Sequence, residues 1–98
     1  LEILEASRYW SRDGSVEIDL VGRLSDGGYF FGECKWSSQS KVGSNTLAHL
    51  RAKAAIAFPN QVTEAKWLVF SLGGFEDEFM RLADADPSVY LVSGDRFF

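Results

Sequence analysis

The residues best suited to chemistry are Asp19, Glu33 and Lys35, two carboxylates and an amine carried on two consecutive strand-like segments. Glu33 and Lys35 lie two apart within residues 29–36, and side chains two apart on a strand project from one face. Asp19 lies within residues 16–24, where charged or small residues alternate with branched apolar ones as in a half-buried strand. Between the two segments, Ser25-Asp26-Gly27-Gly28 is a hairpin signal, because Asp and Gly tolerate the positive φ of tight connections. A three-residue loop, Asp26-Gly27-Gly28, would pair Ser25 with Tyr29 and set Asp19 opposite Lys35 and diagonal to Glu33. Diagonal neighbours on one face are roughly 7–8 Å apart, near enough for two carboxylates to share an ion. A two-residue loop would pair Asp19 with Cys34 and separate them.

Two carboxylates with a backbone oxygen and waters suit Mg²⁺ or Mn²⁺, hard ions that prefer near-octahedral oxygen coordination. A lysine beside them can position or help deprotonate an attacking water, while the ion stabilises charge developing on a phosphodiester. Glu-x-Lys alone is a weak signal, expected by chance in about one chain in three of this length. On residue types alone, a cross-strand ion-pair cluster worth ~0.2–1 kcal/mol is the stronger reading. The placement opposite Asp19 is what adds weight.

The elements that must position these residues follow from local patterns. Residues 1–7 are mildly helical in composition, and Tyr9-Trp10 before Ser11-Arg12-Asp13-Gly14 reads as a strand end and a turn. The first three strands then form an antiparallel meander. Ser44 or Asn45 is the expected N-cap of a helix running to about Phe58, with Leu47, Leu50, Ala54 and Ala57 or Phe58 on its buried face. His49 and Lys53 share another face. Residues 66–72 are too uniformly apolar for a one-sided strand and are expected to be sandwiched. Residues 75–83 are expected to form a second helix with Phe75, Phe79 and Leu82 on one face, and residues 89–92 a last strand. This order predicts an α/β fold: a mixed sheet, three-strand meander then helix-strand-helix-strand, flanked by helices.

The chain has 98 residues and 46% apolar content, with three Trp, three Tyr and eight Phe, enough for one real core and too little for two. No apolar run approaches the roughly 20 residues of a membrane-spanning helix. The single cysteine, Cys34, excludes an internal disulfide and points to a reducing, cytoplasmic setting. The net charge of -4 arises in residues 56–98, which carry three basic and seven acidic residues. Such a balance is a poor footprint for general nucleic-acid binding.

Glu17-Ile18-Asp19-Leu20-Val21, then Gly32-Glu33-Cys34-Lys35-Trp36 after the hairpin, resembles the signature of the PD-(D/E)XK, or restriction-endonuclease-like, superfamily. More narrowly, the chain is similar to the nuclease-like carboxy-terminal domain of archaeal-type AAA+ ATPases, a family of unknown function. Trp10, Leu50, Lys53 and the stretch from Ser71 to Gly74-Phe75 also have counterparts there. The resemblance implies that Asp19 and Glu33 ligate Mg²⁺ or Mn²⁺, that Lys35 is catalytic, and that Lys53 is an auxiliary residue on the helix behind. It further implies that residues 1–98 are a single domain, a carboxy-terminal fragment of a longer ATPase chain. The acidic residue that active members supply from a preceding helix has no clear equivalent; Glu5 could stand in, and Glu2 less well. No Gly-x-x-x-x-Gly-Lys-Ser/Thr loop is present, so nucleotide hydrolysis is excluded for this chain.

The remaining candidates are weaker. Glu17 shares the face of Asp19 and either widens the acidic site or pairs with Arg8 or Arg12, the pairing being preferred. Arg51 and Lys53 could reach a phosphate backbone. Cys34 is expected on the opposite face as a small hydrophobe. His49, the single histidine, is expected to be solvent-exposed, and Trp10, Trp36 and Trp67 to be core. The expected function is divalent-metal-dependent hydrolysis of DNA or RNA, with weak binding by this chain alone. The alternative is an inactive module that docks on its parent ATPase or another protein.

Overall fold

The computed structural model describes residues 2–94. One sheet contains β1 (Ile3–Trp10), β2 (Glu17–Leu24), β3 (Tyr29–Lys35), β4 (Lys66–Ser71) and β5 (Val89–Ser93) in that spatial order. The pairs β1–β2 and β2–β3 are antiparallel, whereas β3–β4 and β4–β5 are parallel. Parallel neighbours need a crossover, and α1 (Asn45–Ala57) and α2 (Asp77–Ala85) provide the two. Right-handed crossovers that step in the same direction along a sheet put both helices on the same face. Leu47, Leu50 and Ala54 of α1 and Phe79 of α2 accordingly share one core with Ile18, Phe31, Trp67 and Val69.

The other face carries a cleft of about 430 Å³ lined without polar surface, to which Leu20, Cys34, Leu68, Phe70 and Val92 contribute. This explains why residues 66–72 read as apolar on both sides. Trp67, Val69 and Ser71 are buried, while Leu68 and Phe70 line the cleft opposite. Among the described residues, no helix is long and apolar enough to cross a membrane.

Two expectations are corrected at the start of the chain. Residues 3–10 form a strand, not a helix, antiparallel to β2; Leu1 lies outside the described residues. The segment has weak propensity either way, and the open edge of β2 decides its conformation. Gly22 lets β1 approach, since a Cβ there would overlap the Glu5 carbonyl oxygen and the Phe30 ring. Trp10, at the end of this edge strand, is 63% exposed, and Trp36 is exposed too; only Trp67 of the three tryptophans is core.

The hairpin loop is also one residue earlier than expected. The Leu24 N–H donates to the Gly28 carbonyl at 2.8 Å and the Gly27 N–H to the Leu24 carbonyl at 3.0 Å, enclosing Ser25-Asp26-Gly27. Gly27 has φ 89°, which a side chain would strain. The ladder then runs through Arg23↔Tyr29 to Leu20↔Gly32, so Asp19 comes next to Glu33 and not opposite Lys35. Moving the loop by one residue shifts the pairing by two, which keeps every side chain on its face. The second helix begins two residues later than expected, and Leu82 is 38% exposed while Phe75 and Phe79 pack edge to face.

Candidate active site

The site is built where the β2–β3 ladder ends. Beyond Leu20↔Gly32, the Asp19 Oδ2 accepts the Cys34 N–H at 2.9 Å. Asp19 thus satisfies a backbone donor that the ladder would otherwise pair, and this fixes its carboxylate beside β3. Glu33 projects from β3 on the face covered by α1, and its side chain is only 12% exposed. Lys53, in the third turn of α1, donates to Glu33 Oε2 at 2.9 Å. Leu50 and Ala54, both fully buried, hold that stretch of helix against the sheet.

Burial pushes the Glu33 carboxyl above the usual carboxylate range, and Lys53 opposes it, while neighbouring Asp19 adds to the rise by hydrogen bonding and by charge. The site therefore brings two carboxyl groups together against their mutual repulsion. Burial likewise raises the Cys34 thiol, with Asp19 and Glu33 contributing. Its side chain lines the apolar cleft on the far face, so it is no nucleophile for this site.

Lys35 is exposed and lines a cleft of about 420 Å³ together with Glu33, Thr46, His49, Ala52 and Lys53. The other two auxiliary candidates lie elsewhere. Arg51 pairs with Asp86 at 3.2 Å and stacks over Trp67 at 5.4 Å, so it braces the far side of α1. Glu17 faces Arg8 at 4.0 Å in an exposed ion pair. Glu5, proposed to replace a missing acid, pairs with Arg23 at 3.6 Å on β1–β2 and does not join Asp19 and Glu33. His49 is exposed on the Lys53 face as expected, and Thr46 is the cleft residue the sequence reading did not name. The signal was present: positions 46, 49 and 53 are spaced to share one helical face.

The donor set can be tested against a divalent ion. Among the described residues, no group of three or more His, Cys, Asp or Glu side chains could hold a metal. Mg²⁺, however, is commonly held by one or two carboxylates, with waters and substrate phosphates completing its shell. Asp19 and Glu33, two hard oxygen donors side by side, fit that minimal requirement.

A family model described as archaeal and bacterial proteins of unknown function (DUF234) matches residues 1–47. No curated protein matches the chain in sequence. Among solved structures, the apo form of EndoMS is similar at 14% identity and a TM-score of 0.61, over 94% of this chain and 37% of that one. A repair endonuclease from Pyrococcus abyssi is similar at 11% identity and a TM-score of 0.60, over 90% of this chain and 38% of that one. AF1548, a protein of unknown function, is similar at 19% identity and a TM-score of 0.63, over 94% and 48%. The chain therefore spans less than half the length of the proteins it matches. With the strand order and the crossovers, these likenesses show a restriction-endonuclease-like fold, a mixed five-stranded sheet with both helices on one face.

Proposed function

We propose that this chain is a nuclease-type domain for divalent-metal-dependent hydrolysis of phosphodiesters in DNA or RNA, and that it forms a single carboxy-terminal domain of a longer ATPase chain. The observation that carries the reading is the close approach of the Asp19 and Glu33 carboxyl groups, with Lys35 on the same face. Asp19 and Glu33 would hold Mg²⁺ or Mn²⁺. When bound, the ion supplies Lewis-acid stabilisation of charge developing on the phosphate. Asp19 is oriented by its bond to the Cys34 N–H, and Glu33 is desolvated so that it binds a cation strongly. The exposed Lys35 ammonium orients the attacking water and the phosphate oxygens. A similar structure, the EndoMS–dsDNA2 complex, adds support for a duplex DNA ligand at 13% identity and a TM-score of 0.59.

The ion itself is the first test. A ligand of the native state contributes RT ln(1 + [L]/Kd), so Mn²⁺ at about 100 times its Kd adds roughly 2.7 kcal/mol, readable as a melting shift. Asp19→Asn and Glu33→Gln should each abolish that shift. A Glu33→Gln protein that responds like the parent would place the ion elsewhere and sink the reading. Because the acidic excess lies in residues 56–98, binding to labelled DNA or RNA should be weak and fall steeply between low and moderate salt.

A second reading, an inactive module docking on its parent ATPase, draws its support from the apolar cleft on the helix-free face. Normal Mn²⁺ binding with no cleavage of any nucleic acid, together with docking lost on Leu68→Glu, would favour it.

A further inference from the structure

We propose that Lys53 is a resident counter-cation of Glu33 that competes with a divalent ion for the same carboxylate, so that Lys53 sets the threshold for metal loading. The inference rests on the metal-site reading above and goes beyond it. Lys53 Nζ lies 2.9 Å from Glu33 Oε2, the separation of a direct charge-assisted hydrogen bond. An ammonium at that position occupies one of the two oxygens a divalent ion would use. Two cations on one carboxylate repel, so each weakens the hold of the other.

The surroundings make the exchange feasible. Glu33 is nearly buried and stands beside Asp19, so a cation there has little competition from water. Lys53 keeps a 32% exposed side chain at the cleft and has a flexible four-carbon stem, so its head can leave without moving the helix. Lys35 lines the same cleft, but among the described residues the ammonium paired with Glu33 is that of Lys53. Once displaced, the Lys53 ammonium joins Lys35, His49 and Thr46 in a cleft suited to phosphate oxygens. Metal loading thereby releases a cation for an anionic substrate, and the two binding events favour each other.

The test is calorimetric titration of Mn²⁺ into the parent, Lys53→Met, Lys53→Arg and Lys41→Met at one fixed pH of 8. Lys53→Met removes the competitor and should tighten Mn²⁺ binding by at least about tenfold. Lys53→Arg keeps a paired cation and should not tighten it. Lys41→Met, an equal charge change at an exposed position, should stay within about twofold of the parent, because remote surface charges are screened. As a second readout that does not depend on a variant folding, the Lys53 side-chain NMR signal of the parent should lose its protection from exchange when Mg²⁺ is added. Equal Mn²⁺ affinity in the parent and Lys53→Met, abolished in both by Glu33→Gln, would overturn this inference and leave the metal site standing. Absence of binding in every form would overturn both.

Discussion

Replacing Glu33 with Gln in the metal-free protein gives a pH signature whose sign follows from the structure. Burial, reinforced by Asp19 and opposed by Lys53, raises the folded-state pKa of Glu33 above its ordinary value of 4.5. The folded protein therefore binds this proton more tightly than the unfolded chain does. Below pH 4.5 the group contributes its full share of stability. As the pH climbs from there through the folded-state value that share is lost, and above it the loss is constant. Gln carries no such proton, so the stability of Glu33→Gln minus that of the parent should rise with pH to a plateau. Each unit of elevation adds about 1.4 kcal/mol to that plateau, or roughly 5–10 °C of melting temperature in a domain of this size. Urea denaturation of both proteins at intervals from pH 3.5 to 8.5, without divalent ions, measures the difference directly. A difference that falls with pH would mean that Lys53 outweighs burial and Asp19 together, and would refute the argument that the site stores carboxylate repulsion.

Arg51→Met should cost about 1–2 kcal/mol, the sum of an exposed ion pair with Asp86 and a cation–π contact with Trp67. It should leave Mn²⁺ affinity unchanged, and a loss of metal binding would show that α1 is misplaced here. Asp13, held to about 2 by Ser11 and Ser15, should titrate there by NMR and move toward 3.8 in Ser11→Ala. Because its folded pKa is lowered, its stabilising share is present above pH 3.8 and fades as the pH falls through about 2.

The meander was readable because its signals are local. Alternation marked β2, and the Asp-Gly pair marked the turn. The face shared by Asp19, Glu33 and Lys35 survived a misplaced loop because the resulting shift was even. What needs tertiary structure was lost. β1 reaches back to Ile3 because β2 offers it an edge, whereas the local pattern announced only its end at Tyr9-Trp10. Arg51 and Lys53 look alike as exposed helical cations, yet two residues on a helix are turned by roughly 200°. One therefore reaches Asp86 across the core's edge and the other reaches Glu33. The sequence contains that geometry, but only the position of β3 under α1 says which of the two faces carries the chemistry.

The fold also determines what in the site can move. Asp19 is tied to the backbone of β3, Glu33 rises from a strand paired on both sides, and α1 is pinned by fully buried Leu50 and Ala54. The carboxylates cannot separate to relieve their repulsion without breaking the sheet, so relief must come from something that arrives: a proton, an ammonium or a divalent ion. The raised pKa of Glu33 and its bond to Lys53 are the first two of these answers. A site that lowered this repulsion by spreading the carboxylates would be more stable when empty and weaker toward a cation. The rigidity of β2 and β3 therefore holds an unfavourable pair of charges together, and it leaves the long side chains of Lys35 and Lys53 as the parts free to respond.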